Sequence, residues 1–179
     1  MIFAQTKIKT MAQRIIFSVS ILLLCSYVLK AQVAKDSPLF IELKKQDSVF
    51  FERGFNQCDM DYLEETISSD LKFYHDQSGF QDRRLFFDNT RKYICGNSEE
   101  KPIRKLKEGS LNVFPLYNNG KLYGAIQHGI HHFYIRKKGK EDLWTGTAKF
   151  TSVWLKENDY WKLSDVLSYD HHDPKPEND

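Results

Sequence analysis

After residue 37 the apolar positions first recur at helical spacing. In DSPLFIELKKQDSVFFERGFNQ, Phe40, Leu43, Phe50 and Gly54 share one stripe, Phe51 and Phe55 widen it, and Asp47 falls within it. Asp36 or Ser37 can cap this helix, and Pro38 suits its first turn. DMDYLEETISS predicts a second, short helix, with Asp61 and Glu64 placed for a capping box. LKFYHD then alternates, putting Leu71, Phe73 and His75 on one side before Ser78 and Gly79 turn the chain. A third helix is expected from a cap at Asp82 to a stop at Gly96, with Phe86, Asn89, Thr90, Tyr93 and Ile94 on its buried side. From Ile103 the period becomes two, with turn signals at NNG (118–120), KKGK (137–140) and END (157–159). The predicted class is α+β: a curved antiparallel β-sheet wrapped around three N-terminal helices.

Two-residue turns at the last two signals would pair Lys137 with Lys140 and Glu157 with Tyr160. His131, Gly146 and His171 then fall in one row across three strands. One face collects Gln127, Gly129, His131 and Phe133; Trp144, Gly146, Ala148, Phe150 and Trp154; and Trp161, Asp165, Tyr169 and His171. The middle strand's other face is Thr145, Thr147, Lys149 and Thr151, so the aromatic face is expected under the helices. Gly129, Gly146 and Ala148 leave that face unfilled, and two strand spacings set the His131 and His171 backbones about 9.6 Å apart. Polar groups converging over small residues mark a ligand cavity. A β-bulge near Ser168 would exchange the inward and outward sets. Ile126, His128, Ile130, His132 and Tyr134 form a competing apolar face, either the core itself or a dimer surface.

Composition narrows the class without naming a function. The 179 residues are 41% hydrophobic and 28% charged, which fits one compact domain. Lys7, Lys9 and Arg14 precede the apolar run IIFSVSILLLCSYVL, which is short for a membrane span and suits a secretory signal. Leu24 before Cys25 is too large for a lipoprotein site. The expected organisation is a signal peptide over 1–31, a linker over 32–37, the domain over 38–173 and a disordered tail over 174–179. Met11 offers an alternative start. Cleavage after Ala31 removes Lys7, Lys9, Arg14 and Lys30, taking the formal charge from +2 to −2. The mature protein is therefore expected in the periplasm or secreted, with no membrane attachment and no nucleic-acid partner. Cys58 and Cys95 can pair in such a compartment or remain buried thiols.

The order Asp47, Phe51, Asn56, Asp59, Leu63, Ser69-Asp70, Phe73, His75 and Gly79, followed by GAIQHGIHHFY, GTAKFTSVW and YWKLSDVLSYDHH, resembles the nuclear transport factor 2-like superfamily. That family shares its cystatin-like cone with ketosteroid isomerases and polyketide cyclases, and the second half of the chain looks like an exported bacterial branch. The resemblance implies a conical pocket between sheet and helices and a homodimer through the outer face. It does not imply catalysis.

The site expected from these residues is a small-molecule pocket. His131 is its leading acid, base or ligand-contacting group, and Asp47 and Asp165 are candidate catalytic carboxylates. His75, Gln127, His131, Trp144, Phe150, Tyr169 and His171 are candidate ligand contacts. His75, His131 and His171 come from separate segments without metal-ligand spacing, so neither a metal nor another cofactor is expected. The leading reading is a binding protein for a small, partly hydrophobic ligand. The alternatives are an isomerase, dehydratase or cyclase using a His/Asp pair, and a protein-interaction module or homodimer without a small ligand.

Overall fold

A computed structural model describes residues 31–175; the expected leader, short of Ala31, and residues 176–179 lie outside the described residues. Helix α1 (Pro38–Val49) begins where Ser37 Oγ accepts a hydrogen bond from the Phe40 amide at 3.3 Å. It continues as a π-helical stretch, Phe50–Asn56. Helix α2 (Met60–Thr66) is capped by Asp59, which takes the Tyr62 amide, rather than by Asp61. Helix α3 (Arg83–Asn89) is capped by Asp82 as expected and continues as a π-helical stretch, Thr90–Ile94. The i→i+5 bonding of these stretches widens the turn and lets more side chains face one way. Neighbours Phe50 and Phe51, with Phe55, all reach the same cavity from α1.

Seven strands make up the sheet, β1 (Ile67–His75) and β2 (Gly79–Asp82) before α3, then β3 (Lys101–Leu106), β4 (Asn112–Asn118), β5 (Lys121–Arg136), β6 (Leu143–Glu157) and β7 (Tyr160–His172) after it. Their order is β2-β1-β7-β6-β5-β3, with β4 beside the first half of β5. The sheet is mixed rather than wholly antiparallel, because β1 runs parallel to β7. The interior is aromatic and aliphatic, centred on Leu43, Leu63, Phe150 and Trp154. Helices α1 and α2 meet so closely that a Cβ on Gly54 would lie 2.3 Å from Leu63 Cδ2.

Three single-residue register shifts correct the expected faces. On β6, Tyr134 pairs with Trp144 but Phe133 with Gly146, so Thr145 is an extra residue. Trp144 therefore stands on the outer face, edge-on to His132, and does not border the cavity where a ligand contact was expected. The 137–142 connection is also longer than a two-residue turn, so His131 pairs with Ala148 instead of Gly146. On β7, Ser164 is extra: Trp154 pairs with Leu163 and Val153 with Asp165. That shift turns Asp165 and Tyr169 outward and brings Val166 and Ser168 inward. A second extra residue, Asp170 at φ 60°, restores the original parity, so His171 does face inward. Of the expected gaps, Gly129 is covered by the Phe150 ring, 2.8 Å from where a Cβ would sit. Gly146, paired with Phe133, has room for more, since a Cβ there would meet only the His172 carbonyl oxygen at 3.6 Å; the Phe133 and His171 rings are nearly parallel at 6.0 Å.

Cys95 caps the second π-helical stretch and Cys58 follows the C-cap Gln57 of the first, and the two form a disulfide with Cα atoms 5.9 Å apart. Beside it Lys101 Nζ donates to the carbonyls of Phe55 at 2.8 Å and Ile94 at 3.0 Å, supplying the last turns of both helices with a cation. A bridge closing 37 residues of separation is expected to contribute roughly 4 kcal/mol by restricting the unfolded chain. Cys58→Ser with Cys95→Ser, or addition of a reductant, should lower the melting temperature substantially in calorimetry. An unchanged melting temperature would mean that the helix ends hold without the bridge.

Candidate functional site

Between the helices and the concave face of the sheet lies a cavity of about 540 Å³. Its walls are Phe50, Phe51 and Phe55 from α1; Phe86, Tyr93 and Ile94 from α3; and Phe133, Phe150, Trp154, Leu163 and Val166 from the sheet. Its three histidines enter it at two places. His131 projects from β5 among aromatic rings, and His75, Ser168 and His171 gather where β1 and β7 end.

His131 belongs to a buried chain of charge. The Arg104 guanidinium on β3 donates to Asp47 Oδ2 at 2.7 Å and Oδ1 at 3.1 Å, and its Nε lies 3.4 Å from His131 Nδ1. The Asp47 and Arg104 side chains are each only 2% exposed. Since Arg104 can only donate, His131 Nδ1 must be the lone pair, and Nε2 carries the hydrogen. That Nε2 is buried without a partner; the one other such atom among the described residues, Arg83 Nε, does not border the cavity. Burial, reinforced by the Arg104 charge, holds the imidazole well below its ordinary 6.5. His131 is therefore a neutral N–H donor aimed into the cavity, an arrangement that suits the ligand-contacting role among those expected from sequence rather than the base. Asp47, held by Arg104, is no free carboxylate either. It borders a separate concavity between α1 and β3.

At the polar end, Asp76 joins the β1–β2 turn to β7. Its Oδ1 lies 2.5 Å from His171 Nδ1, its Oδ2 accepts from the His171 amide at 3.1 Å, and its own amide donates to the Ser168 carbonyl at 3.1 Å. His75 stacks on His171 with ring centres 4.3 Å apart, and its Nδ1 accepts from the amides of Gln77 and Ser78. Burial works to raise the Asp76 carboxyl, but the two His171 hydrogen bonds outweigh it and hold the group below its ordinary value. Burial, then the neighbouring His171, lowers His75.

Donor atoms of His75, Asp76 and His171 lie within 4.8 Å of one another, the one such group among the described residues. Imidazole lone pairs lie in the ring plane, and these two rings are stacked at 19°, so one ion cannot meet both in this arrangement. Both Nδ1 atoms are already hydrogen-bonded. As arranged, the cluster is a hydrogen-bonded set of donors and acceptors rather than a metal cage.

Of the sequence-derived contacts, the cavity brings together His75, His131, Phe150 and His171. Gln127 is buried but spent: it donates to the Leu43 carbonyl at 2.8 Å and accepts from Trp154 Nε1 at 2.6 Å. Trp144, Asp165 and Tyr169 face away, for the register reasons above, and Ser164 Oγ donates to Asp165. Sequence reasoning missed Arg104, Asp76 and Ser168. The signal for Arg104 was present, since an aspartate on an apolar helix stripe calls for a buried cation.

Solved structures with this architecture include a nuclear transport factor 2-like superfamily protein from Salmonella enterica, at TM-score 0.56 and 16% identity over 76% of this chain and 92% of that one. Aln2 from Streptomyces gives TM-score 0.60 at 8% identity, over 74% and 91%. A protein of unknown function with a cystatin-like fold from Nostoc punctiforme gives 0.54 at 14%, over 74% and 91%. No protein-family model and no curated protein matches the chain. The fold is the nuclear transport factor 2-like, cystatin-like cone; at these identities the likeness reaches no further than the fold.

Breaking the buried pair leaves a stranded charge, so Asp47→Asn and Arg104→Met should each cost roughly 3–5 kcal/mol in chemical denaturation. Asp47→Leu with Arg104→Met should recover most of that loss; strict additivity would show that the two groups are not coupled. The His131 shift has a definite sign. Below 6.5 the unfolded chain takes up a proton that the folded one does not, so stability falls with pH, by up to about 1.4 kcal/mol per unit. His131→Leu should flatten the melting temperature between pH 6.5 and about 5. An unaltered slope would mean that the folded protein protonates this ring.

Proposed function

Taking the cone fold as premise, we propose that this chain is an exported protein whose cavity binds a small, mostly apolar molecule carrying one hydrogen-bond acceptor. The observation that carries this reading is the unpartnered His131 Nε2–H beside about 540 Å³ of aromatic-lined space. A buried donor left unpaired costs about 1–3 kcal/mol, and a ligand carbonyl, ether or carboxylate oxygen would offset that cost on entry. Because Arg104 prevents Nδ1 from taking a proton, His131 orients or polarises the ligand and does not abstract from it. Export is supported by the basic, then apolar, leader and by the Cys58–Cys95 bridge, since such bonds persist in oxidising compartments. Among the described residues no helix is long and apolar enough to cross a membrane.

The outer sheet face supports a homodimer reading. Ile126, Ile130 and Trp144 stand half-exposed there, and Leu167 is 42% exposed.

Titration with the fluorescent naphthyl ketone prodan tests the cavity. A saturable blue shift is expected, weakened about tenfold by His131→Leu, the equivalent of one ~1.4 kcal/mol hydrogen bond. Absence of a saturable shift would sink the binding reading, and equal affinity in the variant would remove His131 from it. Light scattering on the same sample reads the oligomer, and a monomer at every concentration would end the dimer reading.

A further inference from the structure

The polar end of the cavity carries a second arrangement that ligand binding does not require. We propose that Ser168, His171 and Asp76 form a nucleophilic relay that cleaves carboxylic esters with an apolar acyl group; the proposal rests on the cavity as the place where that group sits.

Ser168 borders the cavity at 5% exposure, with Oγ 3.4 Å from His171 Nε2. His171 Nδ1 lies 2.5 Å from the Asp76 carboxylate, which also grips the His171 amide. A carboxylate only accepts, so Nδ1 carries the hydrogen and the Nε2 lone pair of the neutral ring faces the serine hydroxyl. Hydroxyl, imidazole and carboxylate thus stand in the order in which a serine is activated, at a separation common for such groups before substrate arrives.

The backbone is bent to create this contact. In a regular strand, residues 168 and 171 face opposite ways. The extra residue Asp170, at φ 60°, turns both into the cavity, and its carboxylate is anchored outside by Lys149 at 2.9 Å. A non-glycine residue held in the left-handed region costs energy and tends to mark a functional site. Asp76 fixes the bend from the other strand, since its amide holds the Ser168 carbonyl while its side chain holds His171. His75, stacked on the far face of His171, keeps that ring from swinging away.

In the reaction, Ser168 Oγ bonds to the ester carbonyl carbon and passes its proton to His171 Nε2. The C–O bond to the alcohol breaks, and the departing oxygen takes that proton. Water then attacks the acyl group, giving a proton to Nε2. The acyl–Oγ bond breaks, the proton returns to Ser168, and the carboxylic acid leaves.

A biotinylated alkyl fluorophosphonate tests the nucleophile and base directly, because loss of fluoride drives the reaction when Oγ bonds to phosphorus. Intact mass and peptide mapping of the disulfide-bonded protein should show one adduct, on Ser168. Labelling should vanish in Ser168→Ala and slow on the order of a hundredfold or more in His171→Gln. Asp76 is a positioning residue, so Asp76→Ala should slow labelling and Asp76→Glu should restore part of the rate. Prodan titration of the same samples separates the two readings. Saturable prodan binding without any adduct overturns the relay and leaves the cavity standing. An adduct without prodan binding supports the serine relay and overturns the part of the proposal that seats an apolar acyl group in the cavity. Equal labelling of wild type and Ser168→Ala, or of wild type and His171→Gln, also overturns the relay.

Discussion

A guanidinium buried between a helix and an edge strand organises this protein. Arg104 is nearly sealed from water, so its charge must be answered within the fold, and Asp47 answers it with both oxygens. The Phe51 ring lies 3.7 Å from its central carbon and adds an attraction that a dry site strengthens. The same strand is tied to α1 through its backbone. Asn56 Oδ1 accepts from the Arg104 amide at 2.8 Å, and Nδ2 donates to the Arg104 carbonyl at 3.1 Å. Helix α1 and β3 are thereby held in one alignment, and the third group on the guanidinium, His131, receives its tautomer from that alignment. A side chain that the sequence leaves open as acid, base or ligand contact is fixed as a donor by a residue on another strand.

The consequence for the cavity is a division of labour between its ends. At the His131 end, desolvation and a fixed positive charge suppress protonation, so the available chemistry is donation to a ligand oxygen. At the other end, an ionised carboxylate, two imidazoles and a hydroxyl are gathered by hydrogen bonds and stacking where the paired strands β1 and β7 end. Phe133 and Phe150 lie between the two ends, with Phe150 stacked against His131 and Phe133 parallel to His171. A ligand long enough to meet both ends must lie along these rings, which favours an elongated or planar apolar body.

Much of this was legible in the sequence because it depends on periodicity and caps. Ser37 and Asp82 cap the helices where expected, and the inward alternation from Gln127 to Phe133 on β5 holds along its length. What was not legible depends on single inserted residues. A bulge changes one pair of dihedrals and leaves no compositional trace, yet it reverses every side chain beyond it. Two reversals on β7 cancel at His171 but not between them, so His171 faces the cavity while Asp165 and Tyr169 do not. One reversal on β6 moves Trp144 to the outer face and leaves Phe150 and Trp154 inside, because they lie beyond it.

Why such chemistry collects at the end of a strand follows from the same mechanics. Inside a sheet, an inserted residue strains the ladder on both sides, and every paired amide resists it. Near a strand end few pairs remain to be disturbed, so Asp170 can occupy a left-handed conformation that aspartate tolerates better than most residues. The freed geometry places residues three apart on one side, a spacing that a regular strand never offers. An adjacent turn, His75 to Gly79, then supplies the carboxylate and second imidazole without crossing the core. Proton-handling groups concentrate where the backbone bends at least cost, and the apolar body of the cone gives them a dry cavity to face.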